Sequence, residues 1–342
     1  MSGRSGTVYD YVTHGPVLVL CEAHNKTTTS SFMTNPAHVA ALCVAASLSI
    51  PAAQAQDWTA TATVGLGFGE VSDTDTSFTS YTIDASGRVR FDSGFSMGLD
   101  LGYTGLESDD ISGSASITSF AVAPRYRFAN RPYTVGGYVE YASLDDTGLS
   151  GSLDATSYGL TGGYVGTNWR TEVFWGLTDT DPEIGPDTDI QDYGISVGVL
   201  SSDRLSFAGN LIRTSVEDSG VTVNADLFEI ASTYQFGNGF GLFGSVSHMT
   251  ISSAGDSVDM NTIGIGGSYY LGNTIELPLT VSLELAQSEV NYGGYSGDMS
   301  TVRLGLTLPI GGSGGKLPLN STAGAVQNGR HSAITSSVLS TF

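Results

Sequence analysis

Apolar and small polar residues alternate in this chain, segment after segment, over lengths of ten residues and more. From Trp58, the residues Trp58, Ala60, Ala62, Val64, Leu66 and Phe68 share one parity, and Thr59, Thr61, Thr63, Gly65 and Gly67 the other. Successive side chains of a strand point to opposite faces, so this segment has one apolar face and one small, polar face. Phe95, Met97, Leu99, Leu101 and Tyr103 repeat the pattern against Ser96, Gly98, Asp100 and Gly102, and Val302 to Leu308 repeats it again. The alternation predicts 14 strands, over 57–69, 78–91, 95–105, 115–128, 133–144, 154–165, 168–178, 190–200, 204–215, 222–236, 240–251, 260–271, 274–287 and 299–310.

Alternation also suits a soluble sandwich, and three features favour a membrane barrel instead. The strands reach the roughly 9–11 residues that a tilted membrane strand requires. The connections are expected to alternate between tight turns, such as Asp92-Ser93-Gly94 and Gly272-Asn273, and longer acidic loops, such as Asp179 to Asp189. Outward aromatics form two levels, one with Tyr126, Phe128, Trp169, Phe236 and Phe240, the other with Phe68, Tyr81, Tyr103, Trp175 and Tyr193, as two membrane interfaces demand. An even strand count leaves both barrel ends on one side. The expected fold is all-β: a transmembrane antiparallel up-and-down β-barrel of about 14 strands, with short periplasmic turns and longer acidic external loops.

Composition removes other classes. The body holds no repeated apolar stretches of roughly 20 residues, so a helical membrane bundle is excluded. With 34 acidic against 13 basic residues in 342, a net charge of −21, a nucleic-acid partner is not expected. The small apolar run 37–53, ending in Ala53-Gln54-Ala55, reads as a secretory signal peptide over 33–55, cleaved after Ala55. Residues 1–32 read as a leader or a misassigned start. The two cysteines, Cys21 and Cys43, lie in these discarded parts, so the mature chain carries no thiol chemistry. The barrel is assigned to 56–311. Residues 312–342 read as a Gly-rich linker followed by a periplasmic tail, the alternative being an extra strand that closes the barrel.

The signal peptide, the first strand DWTATATVGLGFGEV, the loop pattern and the terminal Phe342 together resemble the porin-like outer-membrane proteins of Gram-negative bacteria, over roughly 56–311. The resemblance implies passive diffusion of small hydrophilic solutes, surroundings of outer-membrane lipid and lipopolysaccharide, and insertion by the barrel-assembly machinery, which reads a C-terminal strand ending in an aromatic. The sequence departs from the classical trimeric porins, which have roughly 16 strands and a long third external loop folded into the lumen, because the third long connection here, near Asp145 to Ser152, is short.

Charged side chains facing lipid cost roughly 2–4 kcal/mol at the midplane, so the charged residues of the strands are placed inward. Arg88, Arg90, Arg125, Arg127 and Arg170 fall toward the periplasmic end. Asp84, Asp100, Glu140, Asp192, Glu229 and Glu284 fall higher, Glu172 lower, and Arg303 at mid-height. All 13 are candidate pore-lining residues, because rings of charge set ion preference in a wet lumen. Acidic loops at the outer mouth predict a weak cation preference, with the mid-lumen carboxylates offsetting the arginines. The alternative is a structural or adhesive surface barrel whose lumen is closed by salt bridges.

An enzyme is not expected. His248 is the only histidine within the barrel region, its parity points outward, and a catalytic reading requires it to meet a nucleophile. No P-loop or ligand-rich histidine set appears, and no cofactor is expected. The loop Asp179 to Asp189 fails the EF-hand spacing, because Gly185 falls one place late and Ile190 stands where the bidentate Glu belongs. Loose divalent cations shared with lipopolysaccharide phosphates are the remaining metal expectation. Arg213 shares the outward parity of Leu211, which predicts a bulge near Ile212 or an earlier strand end.

Overall fold

The computed structural model describes residues 57–72, 76–108, 114–146, 151–185, 188–273, 277–311 and 317–341. The expected signal peptide, the loop carboxylates at 73, 75, 109 and 110, and Phe342 lie outside them. Fourteen antiparallel strands close into one barrel, each paired with its sequence neighbours and β1 paired with β14. They are β1 (Asp57–Val71), β2 (Thr76–Arg90), β3 (Phe95–Ser108), β4 (Ser114–Arg127), β5 (Tyr133–Asp146), β6 (Gly151–Val165) and β7 (Trp169–Asp181). There follow β8 (Asp189–Leu200), β9 (Leu205–Asp218), β10 (Val221–Gln235), β11 (Phe240–Ser253), β12 (Asp256–Tyr270), β13 (Thr280–Tyr292) and β14 (Tyr295–Ile310).

The alternation sorts the faces as expected. On β1, Thr61 and Thr63 are buried toward the lumen while Val64, Leu66 and Phe68 are half-exposed on the outer wall. At the end where both barrel termini lie, here the terminal end, outer aromatics pair off. Tyr164 stacks on Trp169 at 4.7 Å between ring centroids, Tyr126 meets Phe128 edge-on at 5.4 Å, and Phe240 meets Tyr269 at 4.7 Å. Toward the far end, Tyr81 and Tyr103 pair at 5.9 Å and Trp175 lies beside Tyr193 across the ladder. These are the two aromatic levels that flank an apolar band.

The structure corrects four expectations. The far-end connections are not uniformly long: β9–β10, β11–β12 and β13–β14 are joined by two residues each. Ser219-Gly220, Ala254-Gly255 and Gly293-Gly294 all hold positive φ, from 47° to 107°, the backbone of a primed hairpin turn. Glu217, Asp218, Asp256 and Asp259, which fall between the expected strand spans, are strand residues. Second, β13 begins at Thr280, and not near 274. A 3-10 turn at Leu271–Asn273 and Pro278, which has no N–H for a ladder, delay its start. Third, β9 runs through Ile212 without a bulge, in continuous register with β10. Arg213 does point outward. It is neutralised there by Asp226, its direct cross-strand partner.

The fourth correction is the largest. The tail is neither a periplasmic extension nor an extra strand. Residues 317–341 turn back into the lumen and form two short helices, α1 (Thr322–Gln327) and α2 (Ala333–Thr341). Ser321 caps α1, its Oγ accepting from the Gly324 N–H at 3.0 Å. Among the described residues no helix is long and apolar enough to cross a membrane.

Candidate functional site: a plugged lumen and an arginine-lined cavity

The inner wall explains why the tail enters. Ile212 lies directly across from Leu227, and Leu227 from Met249, all on the inward parity of β9, β10 and β11. These three are at most 8% exposed and pack with Ala333 of α2, together with Tyr138 and Phe174. Ala323 and Val326 of α1 cover a second apolar patch formed by Ala231 and Phe243. Large apolar side chains facing a wet pore would forgo roughly 1.5–3 kcal/mol each, so burying them under the tail is favourable. Inward glycines make the room. A Cβ on Gly264 would collide with Thr322, and one on Gly65 with Asn320.

Polar clamps fix the tail. Arg303 and Glu284 form a buried ion pair at 2.9 Å, and each also holds a helix end. Glu284 accepts from the Thr322 N–H at 3.0 Å and the Thr322 hydroxyl at 2.6 Å, at the start of α1. Arg303 donates to the Thr341 carbonyl at 2.6 Å, at the end of α2, where the helix dipole favours a cation. Asn210 donates to Glu229 and to the Val326 carbonyl, both at 2.9 Å. Thr214 accepts from the Ala333 N–H at 2.9 Å and donates to Asp192.

The loop between the helices is held by His331. Glu140 accepts from the His331 backbone N–H at 3.0 Å and pairs with its Nδ1 at 2.7 Å, while Nε2 lies 3.5 Å from Glu172. The ring stacks on Tyr138 at 3.8 Å and meets Phe174 edge-on at 4.6 Å. Burial opposes a charge on this imidazole, but Glu140 and Glu172 outweigh it and push the pKa up to about 9.

Between the tail and the terminal end remains a cavity of about 730 Å³. It is bounded by terminal-end residues such as Phe91 and Gly94 and roofed by Leu317, Leu319 and 326–331. Of the 13 candidate pore residues, Arg88, Arg90, Asp100, Arg125, Arg127, Glu140, Arg170 and Glu172 line it. Asp84 lines a smaller void of about 70 Å³ beyond Arg330, between the tail and β2–β4. Arg303, Glu284, Glu229 and Asp192 lie under the tail, so they serve as clamps and do not line a pathway. Arg125 is bridged to Glu172 at 2.7 Å, and Arg90 to Asp57 at 3.4 Å near the rim. Arg88, Arg127 and Arg170 carry no ion pair among the described residues, and with Asp100 as the one unpaired carboxylate named in the lining the cavity keeps an excess of positive charge.

Residue-level reading of the sequence missed Arg330, His331 and the rest of the tail. A signal was present: Ile212, Leu227, Phe243 and Met249 break the small-and-polar rule on inward parity over three consecutive strands, and something has to cover them. No group of three or more potential metal ligands occurs among the described residues.

Residues 40–199 match the family model described as "Outer membrane protein beta-barrel domain". With the closed 14-strand barrel and its two aromatic levels, this match supports the architecture of a porin-like outer-membrane β-barrel. Among solved structures, a monoaromatic hydrocarbon channel, CymD, aligns at 10% identity and TM-score 0.47, over 76% of this chain and 90% of that one. A Pseudomonas aeruginosa FadL homologue aligns at 10% identity and TM-score 0.46 over 74% and 90%, and an anion-selective porin from Comamonas acidovorans at 10% and 0.45 over 74% and 99%. At such distances these likenesses specify no solute. No curated protein sequence matches the chain.

Proposed function

We propose that the protein is an outer-membrane channel for small hydrophilic solutes whose lumen is narrowed by its own C-terminal segment, with a vestibule at the terminal end that attracts anions. The observation that carries this reading is the 730 Å³ cavity, lined at once by rim residues, by unpaired arginines and by the tail. The weak cation preference expected from the sequence relied on mid-lumen carboxylates to offset those arginines. Glu229, Glu284 and Asp192 are spent on the wall and the tail, and Glu140 on His331, so within the cavity the offset falls mainly to Asp100 and is outweighed by the arginines. Oriented guanidinium groups in a confined, low-dielectric space concentrate anions. In this reading solutes pass the tail beside β2–β4, where a small void of about 70 Å³ lies next to Arg330 and Asp84.

In this reading the terminal end faces the periplasm, residues 33–55 direct export, the mature chain starts at Gln56, and the barrel-assembly machinery inserts it among lipid and lipopolysaccharide. The last strand, β14, ends at Ile310. A second reading, a barrel of structural or adhesive role with a closed lumen, is favoured by the close fit of the tail. Conductance of the refolded protein in a planar bilayer separates the two. Stepwise openings with an anion-side reversal potential support the channel, and persistent silence at all voltages supports the closed barrel.

A further inference from the structure

The outer wall carries a second constellation that the channel reading does not use. His248 and Thr250 lie two residues apart on β11, with His248 exposed and Thr250 partly so on the outer face, and Asn261 faces His248 directly across the ladder on β12. The Asn261 Oδ1 lies 2.7 Å from His248 Nδ1, and the Thr250 Oγ1 lies 3.2 Å from His248 Nε2. A carbonyl oxygen only accepts, so Nδ1 carries the proton and the Nε2 lone pair faces the hydroxyl. The Thr250 hydroxyl carries one proton and donates it to Asp259 Oδ1 at 2.6 Å, so it turns from Asp259 toward Nε2 before the imidazole can take that proton. A hydroxyl within reach of an imidazole, oriented in turn by a third group, is the arrangement of an activated oxygen nucleophile.

Its depth selects a substrate. Below it, toward the terminal end, the outer face is apolar: Leu242 and Val246 on β11, Ile263 and Ile265 on β12, and Ile230 on β10 are all exposed. Above Phe228 and Val246 the same face turns polar, with Asp226 paired to Arg213, then Thr250 and Asp259. The change from apolar to polar marks the height where acyl chains give way to headgroups, and lipid ester bonds lie at that height.

We propose that Thr250, His248 and Asn261 form an acyl-transfer site on the outer wall that cleaves a carboxylic ester of a membrane lipid. Thr250 Oγ adds to the ester carbonyl carbon as its proton passes to His248 Nε2. Collapse breaks the bond to the lipid alcohol, which leaves with that proton. Water then adds to the acyl-Thr250 carbonyl, giving a proton to His248. The second collapse returns that proton to Thr250 Oγ and frees the fatty acid. Asn261 is a positioning residue that fixes the imidazole tautomer. The strand N–H groups near Thr250 are paired in the ladder, so interfacial water meets the developing oxyanion and turnover is slow.

The test uses the full-length protein refolded in mixed micelles of detergent and dioleoyl phosphatidylethanolamine, with fatty-acid release and labelling by an alkyl fluorophosphonate as readouts. The expected result is slow release and a covalent label on the Thr250 peptide. His248→Ala is expected to lower release by roughly 100-fold. Thr250→Val is expected to abolish the label, and Thr250→Ser, with a less hindered hydroxyl, to increase release several-fold. Asn261→Ala is expected to lower kcat with KM unchanged, and Asn261→Asp to restore it. Absence of both release and label in the unmodified protein and in Thr250→Ser overturns the proposal. So does release that survives Thr250→Val, and labelling of the unmodified chain decides the matter even where a variant does not fold.

Discussion

Two parts of one inner wall, built by the same strand alternation, use their charges differently. Under the tail, Glu284, Arg303, Glu229 and Asp192 all have partners close by, in the wall or in α1 and α2. At the terminal end, Arg88, Arg127 and Arg170 face a cavity without ion pairs among the described residues. Burial with complementary partners turns a charge into a clamp, and a wet cavity leaves it free to act on solutes. The parity of a strand residue says only that it points inward. Whether it clamps or selects depends on what else enters the lumen.

The comparison breaks most visibly if the tail is removed. A chain ending at Gly311 exposes the clamps to water, and its single-channel conductance is expected to rise several-fold over the full-length protein, since a 14-stranded barrel is wider than its own side chains fill. Equal conductance would mean that the tail does not limit the lumen.

Next in size is the loss of one clamp. Arg303→Met leaves Glu284 buried without its ion-pair partner, a change expected to cost about 3–5 kcal/mol. Its readout is faster protease cleavage of the tail in the folded barrel. Replacing both Arg303 and Glu284 by apolar residues is expected to cost less than Arg303→Met alone, and a double-mutant cycle checks this.

A smaller effect is set by pH. His331 is raised to about 9 from an ordinary value near 6.5 by Glu140 and Glu172. Its charge therefore stabilises the docked tail fully below pH 6.5, and this contribution is lost as pH rises through about 9. Protease accessibility of the tail is expected to increase across that window. His331→Gln is expected to flatten the dependence, and an unchanged slope in that variant would assign the effect to another group.

The least effect is expected at the cavity. Arg125→Ser with Arg127→Ser removes two of the arginines around it and is expected to shift the reversal potential toward cations, more at low salt than at 0.1 M, where the screening length is about 10 Å. No shift would place ion preference elsewhere.

The barrel was legible because each strand carries its own pattern: parity, turn glycines and aromatic ends are local properties. Alternation placed all five terminal-end arginines inward. The plug was not legible in the same way. His331 meets Glu140 across 191 residues, and Thr322 meets Glu284 across 38, separations that no local window spans. Inward glycines read as open space, although Gly264 and Gly65 are small because Thr322 and Asn320 press against them. Ser332, Ser336 and Ser340 recur every four residues, a helical spacing that weak strand periodicity obscured. The outward Arg213 looked like a register fault because its partner, Asp226, sits on the next strand at the same height.

The most direct measurement asks whether the tail lies inside the barrel. A Cβ on Gly305 falls 3.5 Å from the Pro318 Cβ, within the range a disulfide spans, and the only native cysteines, Cys21 and Cys43, precede the barrel. The variant Gly305→Cys with Pro318→Cys, oxidised in the folded state in the membrane, is expected to cross-link quantitatively and to hold conductance at its low level until a reductant is added. Free thiols at both positions after oxidation, in a barrel that is otherwise folded, would contradict a lumen narrowed by its own tail.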